Sequence, residues 1–287
     1  MDVPDYTAPA TLEDALRLKT EVGADARVIA GGTDLILKMR DEVYSPTLLI
    51  DLQNISLDEI SLGADSIDIG ASVTQSQLLE SDVINSLYPA LAEACREFAG
   101  PPIRNRGTVG GNIVNASPAA DLIPPLMVYD ARVELASSSS TREVALADFF
   151  EGPGKSIIAP DEILTKVSLP KLPSATAATF IKLGQRRSMA ISMVSVATRL
   201  TLDGNGLLSD ARIVMGSVAP TPLRARAAEE LLIGFSPSDE LLERAANEAS
   251  EEATPISDVR ASESYRNNMT AVMVQRALLA NLSELVK

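Results

Sequence analysis

Three observations predict an α+β protein of two domains. The chain has 287 residues, too many for one small core and comfortable for two of ordinary size. Two prolines bracket a linker at Pro170-Lys171-Leu172-Pro173-Ser174. Strands and helices are interspersed before it, whereas after it a run of strands leads into a run of helices. The expected domains are 1–170, in two lobes of about 1–54 and 55–170, and 175–287.

Thr11-Leu12-Glu13-Asp14 opens the first helix, a Thr N-cap with an acid three residues on, and Leu12, Ala15, Leu16 and Leu18 give it an apolar face. A short strand, Val28-Ile29-Ala30, runs straight into Gly31-Gly32-Thr33-Asp34. A helix-like turn over 35–40 and a strand over 47–52 complete an α/β unit of roughly 55 residues. Beyond Ile55, residues 66–71 alternate as a half-buried strand, and a helix opens over 73–79. A longer helix is expected over 84–98, stopped by Gly100-Pro101-Pro102. The segment 119–129 is apolar apart from Asp121, and 133–136 and 162–169 are strands. In the second domain, a strand over 179–183 joins a hairpin of 194–202 and 211–218 that turns at Asp203-Gly204-Asn205-Gly206. That predicts a three-stranded antiparallel sheet, with helices over 223–233, 239–252 and 262–285 packed on it.

Composition removes several function classes. A net charge of −14 argues against nucleic acid, whose phosphates need Lys and Arg facing them. An anionic ligand is therefore expected to be held mainly by backbone N–H groups. No apolar run approaches the roughly 20 residues of a membrane span. The acidic start Met1-Asp2-Val3-Pro4-Asp5 lacks the basic and apolar regions of a signal peptide, so a cytoplasmic protein is expected. There is no histidine, and the one cysteine, Cys95, sits in a helical run where a buried apolar role is expected. Ser–His–Asp, Cys–His and zinc hydrolysis are excluded. With no metal site and no catalytic side chain expected, any chemistry falls to a cofactor.

Two diglycine segments stand out, Gly31-Gly32-Thr33 after a strand and Gly110-Gly111-Asn112 after Thr108. Glycine lets backbone approach a ligand and adopt positive φ, so that successive N–H groups converge on an anion. Thr and Asn add neutral donors. One such pair alone reads as a tight turn, and two with hydroxyl or amide neighbours leave turn and ligand loop evenly matched. Neither is a dinucleotide fingerprint with its third glycine or a P-loop.

Ala30 to Leu35, Ile103-Arg104-Asn105 through Thr108-Val109-Gly110-Gly111-Asn112, and Ala116-Ser117-Pro118-Ala119-Ala120-Asp121, together with Ser262-Glu263-Ser264-Tyr265-Arg266, resemble the FAD-binding medium subunit of the molybdenum hydroxylases. That family includes xanthine, carbon monoxide and nicotinate dehydrogenases, and the resemblance spans essentially the whole chain. It implies a two-lobed FAD-binding domain followed by a C-terminal domain of antiparallel sheet with packed helices. It implies a first diphosphate loop over Val28, Ile29, Ala30, Gly31, Gly32, Thr33, Asp34 and Leu35, and a second at Thr108, Gly110, Gly111 and Asn112. Asp121 would sit near the ribose and adenine end of FAD, while Phe98, Ile103 and Leu164 would pack near the flavin, although as bare residues all three read as core. Lys182 would border the flavin from the second domain and favour its anionic reduced form. Arg186 and Arg187 are further charges nearby. Ala190 stands where several relatives carry Asp, so their electron acceptor is not carried over. The cysteine-rich insertion of some relatives is excluded by the single Cys95.

The resemblance implies an oxidoreductase subunit that relays electrons through FAD, from iron–sulfur clusters on a small subunit to an external acceptor. The [2Fe-2S] clusters and molybdopterin would lie on partner chains, with substrate hydroxylation on the large one. A stand-alone FAD-dependent oxidoreductase acting on a small molecule is the alternative, disfavoured by the absence of histidine. Intact glycines weigh against a scaffold without flavin, and the missing third glycine against an NAD-linked dehydrogenase.

Overall fold

A computed structural model describes residues 3–186 and 189–286, so Arg187, expected beside the site, lies outside the described residues. The chain builds mixed helix and sheet around three main sheets. The first is parallel, β1 (Asp5–Thr7), β2 (Ala26–Ile29) and β3 (Leu48–Asp51) in the order β1-β3-β2. Helix α1 (Leu12–Val22) crosses between β1 and β2, with Thr11 Oγ1 accepting from Asp14 N–H at 3.1 Å as the cap expectation required. Its buried Ala15 and Leu16 pack with Ala26 and Ile50. Helix α2 (Leu35–Arg40) follows the first diglycine directly.

The second sheet is antiparallel: β4 (Ile60–Leu62), β5 (Ser66–Gly70), β6 (Arg132–Ala136), β7 (Thr141–Ala145) and, beyond a small hairpin of β8 (Phe150–Gly152) and β9 (Lys155–Ser156), β10 (Ile163–Pro170). Their order is β4-β5-β10-β6-β7. The pairing of β10 with β6 slips between Leu164 and Lys166, a bulge that buries Ile163, Leu164 and Thr165 in succession. Short helices span its connections: α3 (Gln75–Glu80), α4 (Asp82–Leu87), α5 (Pro89–Glu97), α6 (Pro101–Arg104), α7 (Val109–Val114) and α8 (Ile123–Val128). The single helix expected over 84–98 is thus two. Pro89 disfavours helical backbone at Tyr88, which adopts φ −132°, ψ 57°, and restarts the helix as its first residue.

The third sheet, β11 (Thr176–Gly184), β12 (Ser192–Leu202), β13 (Leu208–Gly216) and β14 (Leu223–Arg224), has four antiparallel strands, not three. Leu223 and Arg224 pair with Met215 and Val214, so the helix expected from 223 begins later as α9 (Arg226–Leu232). Helices α9, α10 (Asp239–Glu252) and α11 (Glu263–Leu285) cover one face of this sheet. Against the other face pack α5 and α8, which buries nearly the whole of β12. The β12–β13 turn forms where expected, Asp203 Oδ1 accepting from the N–H groups of Asn205 and Leu207. Cys95 is buried, and burial pushes its thiol up to about 12. Among the described residues no helix is long and apolar enough to cross a membrane.

Candidate functional site: a groove between two glycine loops

β2 ends at the seam between the parallel and antiparallel sheets, and a cavity of about 620 Å³ opens there. That volume lies within the usual range for small-molecule and cofactor sites. One wall runs from Val28 and Ile29 through Ala30, Gly31, Gly32, Thr33, Asp34 and Leu35. Thr108, Gly110, Gly111 and Asn112 face it, and Phe98, Ile103 and Leu164 line it further along. Leu164, the last residue of β10 before the bulge, lines this space next to Ile163.

The two loops touch. A Cβ on Gly31 would lie 1.8 Å from the carbonyl oxygen of Arg106, so only glycine lets the first loop reach the second. Gly32 holds φ +70°, a left-handed conformation in which a side chain is strained. Among the described residues, no acceptor faces the backbone N–H groups of residues 31–35. Those donors open onto the cavity, the arrangement a diphosphate requires.

The second loop differs from the expectation of a second N–H cradle. Val109 donates to the Val73 carbonyl at 2.9 Å, Gly110 to Ala71 at 2.9 Å, Gly111 to Thr108 Oγ1 at 3.0 Å and Asn112 to the Thr108 carbonyl at 3.0 Å. Its backbone donors are spent on anchoring α7. What remains toward the groove is the Asn112 side chain, whose Oδ1 is buried without a partner. The two glycines also divide their work. A Cβ on Gly110 would strike Ala71 at 2.8 Å, whereas one on Gly111 would meet only the Thr108 hydroxyl, at 2.9 Å. Gly110 serves packing, and Gly111 borders the groove.

Asp121 and Lys182 stand apart from this lining and bind each other. Lys182 Nζ donates to Asp121 Oδ2 at 2.6 Å, with both side chains almost inaccessible, 5% and 7% exposed. Ser192 donates to Asp121 Oδ1 at 2.5 Å, and Lys182 also donates to the Glu97 carbonyl at 3.1 Å. Burial pushes the Asp121 carboxyl above its ordinary range, and the Lys182 charge opposes that push. Asp121, expected near the ribose and adenine end, and Lys182, expected beside the flavin, are thus brought into contact with each other. Nor is Lys182 a free cation, since its partner cancels most of its field.

Cations missed by the composition argument do border the groove. Lys19 is buried on its floor, donating to the carbonyls of Gly23 at 2.9 Å and Ala26 at 2.8 Å, and burial followed by the Arg27 charge depresses its ammonium. Lys38 bridges the loops, pairing with Asp34 at 3.0 Å and hydrogen-bonding Asn115. A regional clustering of Lys and Arg is invisible in a net charge. Glu162, also in the lining, takes both arms of Arg142 at 2.6 and 2.9 Å, which holds its carboxyl below the usual range. Each acid among the described lining residues is thus paired, and none is poised as a general base.

Comparison with known proteins follows this geometry. The family described as the FAD binding domain in molybdopterin dehydrogenase matches residues 2–172, and the CO dehydrogenase flavoprotein C-terminal domain matches 179–281. The xanthine dehydrogenase FAD-binding subunit of Escherichia coli is 33% identical over 280 residues, covering 96% of this chain and 95% of that one. The carbon monoxide dehydrogenase medium chain of Afipia carboxidovorans is 34% identical over 276 residues, again 96% and 95%. Among solved structures, the carbon monoxide dehydrogenase of Hydrogenophaga pseudoflava lacking its Mo-pyranopterin moiety superposes with a TM-score of 0.94 at 30% identity, covering 98% of both chains. Glycine loops in contact, free N–H groups on one of them and two family matches that together span nearly the whole chain lead to one assignment: the chain belongs to the FAD-binding medium subunits of the molybdenum hydroxylases.

Proposed function

We propose that this chain holds one FAD in the groove and serves as the electron relay of a cytoplasmic multi-subunit hydroxylase. Its partners would be a small iron–sulfur subunit and a large molybdopterin subunit, with an external acceptor taking the electrons away. The observation that carries this reading is the row of unpaired N–H groups over residues 31–35, opening onto a cavity closed opposite by Gly111 and Asn112. Orphaned donors beside an orphaned Asn112 Oδ1 fit a dinucleotide, which brings both an anion and hydroxyl donors.

The residues divide into three tasks. Gly31, Gly32, Thr33, Asp34 and Leu35 bind the diphosphate through their backbone, with Val28, Ile29 and Ala30 as the strand that presents them. Asn112 accepts from a hydroxyl of the ligand, while Thr108 and Gly110 fix the turn that carries it. Phe98, Ile103 and Leu164 exclude water around the ring system, and the Lys182–Asp121 pair closes that end. Bound FAD takes electrons singly or in pairs, which lets it connect one-electron clusters to a two-electron acceptor. With no free acid or base in the described lining, the protein orients and insulates the cofactor and takes no proton itself. The boundary between FAD domain and C-terminal domain is placed at 170–175.

The absorption spectrum of the purified chain tests this. Flavin bands at one equivalent per chain, and two further chains that co-purify from the native source, are the expected result. Flavin bands with turnover of a small molecule by the isolated chain would favour a stand-alone flavoenzyme. A colourless protein that takes up no added FAD would defeat the reading.

A further inference from the structure

The segment Ser262 to Arg266 contributes no residue to the described groove lining, yet its last side chain is spent on other elements. Ser262 caps α11, its Oγ accepting from the Tyr265 N–H at 3.2 Å. Arg266 lies near that same positive end of the helix, where a cation opposes the dipole, so α11 gains nothing from it. Its side chain is only 4% exposed. One terminal nitrogen, Nη1, donates to the carbonyls of Met193 at 2.7 Å and Ser217 at 2.9 Å. The other, Nη2, donates to Asp258 Oδ1 at 2.8 Å. That carboxylate is itself oriented by the N–H groups of Arg260 at 2.8 Å and Ala261 at 3.2 Å.

Both carbonyls belong to strand ends that hold the wall of the groove. Met193 follows Ser192, whose hydroxyl donates to Asp121, and lies two residues after the lining residue Ile191. The Ser217 N–H donates to the Pro118 carbonyl at 2.8 Å, and Ser117 and Ala119 on either side of Pro118 line the groove. Ser217 carries its side chain at φ +64°, a left-handed backbone that persists where surrounding bonds dictate it. One guanidinium thus fixes two strand ends of the second half, and each of them grips the same segment of the first, 117–121. Resting on the FAD reading above, we propose that Arg266 is a positioning residue: by stapling Met193 to Ser217 it holds segment 117–121 and Ile191 in the groove wall without touching the cofactor.

The test uses the full chain, its FAD affinity measured by titration and the visible circular dichroism of the flavin recorded at saturating FAD. Arg266→Lys keeps the charge but loses the planar fork that spans two carbonyls and a carboxylate. It should alter the flavin dichroism and weaken FAD roughly tenfold, the scale of one lost charge-assisted hydrogen bond. Ser192→Ala should change both in the same sense. The double variant should go no further than the stronger single one, because both act on one segment. Asn281→Ala deletes a buried hydrogen bond to Thr198 away from that segment, and should lower the melting temperature without moving dichroism or affinity. Should Arg266→Lys not fold, Asp258→Asn, which loosens the guanidinium but leaves both carbonyl bonds possible, takes its place with the same expected direction. Wild-type dichroism and affinity in the folded variant overturn the positioning role and leave the FAD reading intact. So do equal changes in Asn281→Ala, or effects that multiply in the double variant. Failure of wild type to bind FAD removes the FAD reading and the positioning role together.

Discussion

A glycine in a binding loop can be required by the ligand or by the protein, and Gly31, Gly110 and Gly111 at this groove separate the cases. Gly31 faces backbone, the Arg106 carbonyl oxygen at 1.8 Å and its carbon at 2.6 Å from an added Cβ. Neither atom can yield without moving the second loop. Gly31→Ala should therefore lower stability by about 1–3 kcal/mol and lose FAD as the loops part. Gly110→Ala meets Ala71 and should cost a similar amount. Gly111→Ala disturbs only the Thr108 cap, worth about 1 kcal/mol, and gains about as much in helix propensity. Its melting temperature should stay near wild type while its FAD affinity falls. Urea midpoints and flavin titrations of the three variants check this, and equal destabilisation in all three would contradict it. The sequence makes the special backbone legible at each of these positions. It cannot say what approaches, because Arg106 and Ala71 arrive from other elements. The same limit hides the pairing of Asp121 with Lys182, which lie on a loop before α8 and on β11.

Elements were legible in proportion to how local their determinants are. The Thr11 cap, the Asp203 turn and α10 depend on neighbours within a few residues and form where periodicity and cap chemistry put them. The break at Tyr88 was equally local, written in Pro89, but the apolar periodicity running through it obscured it. The short strands β7, β8, β9 and β14 exist only because a partner strand is present, so their own composition carries little signal. β7 matters to the site because it carries Arg142, which grips Glu162 just before β10, next to the lining residues Ile163 and Leu164. That grip depresses the Glu162 carboxyl. Its stabilisation is fully present above the unfolded carboxylate value of about 4.3 and is lost as pH falls through the lower folded value. Wild type should thus melt higher than Glu162→Gln at neutral pH, and the two curves should converge on acidification. Thermal melts across that range decide it; a gap that stays constant down to strong acid would show that the ion pair contributes nothing.

At the scale of the whole molecule, the question is whether the proposed domains are independent. The linker at residue 170 suggests that they are, yet the packing crosses it. Ala178, Phe180, Ala197 and Val214, on the third sheet, belong to the same buried cluster as Leu91 and Tyr129 from the preceding half. Arg199 on β12, almost fully buried, pairs with Asp130 at 2.9 Å and Asp210 at 2.5 Å, so one of its counter-charges comes from the other side of the linker. Glu93 on α5 accepts from the Phe180 N–H at 2.7 Å, and Lys182 reaches across to Asp121. Separating the halves would expose an apolar sheet face and strand buried charges, each of which is costly. The chain should therefore unfold as one cooperative unit despite its length, where two domains with a polar interface would unfold in two steps. Differential scanning calorimetry of the cofactor-free chain should show one transition whose calorimetric and van't Hoff enthalpies agree. Two resolved transitions would mean that the cross-linker contacts are too weak to couple the halves. The groove would then lose the wall that Ile191 brings to it from the second half, while the glycine loops belong to the first.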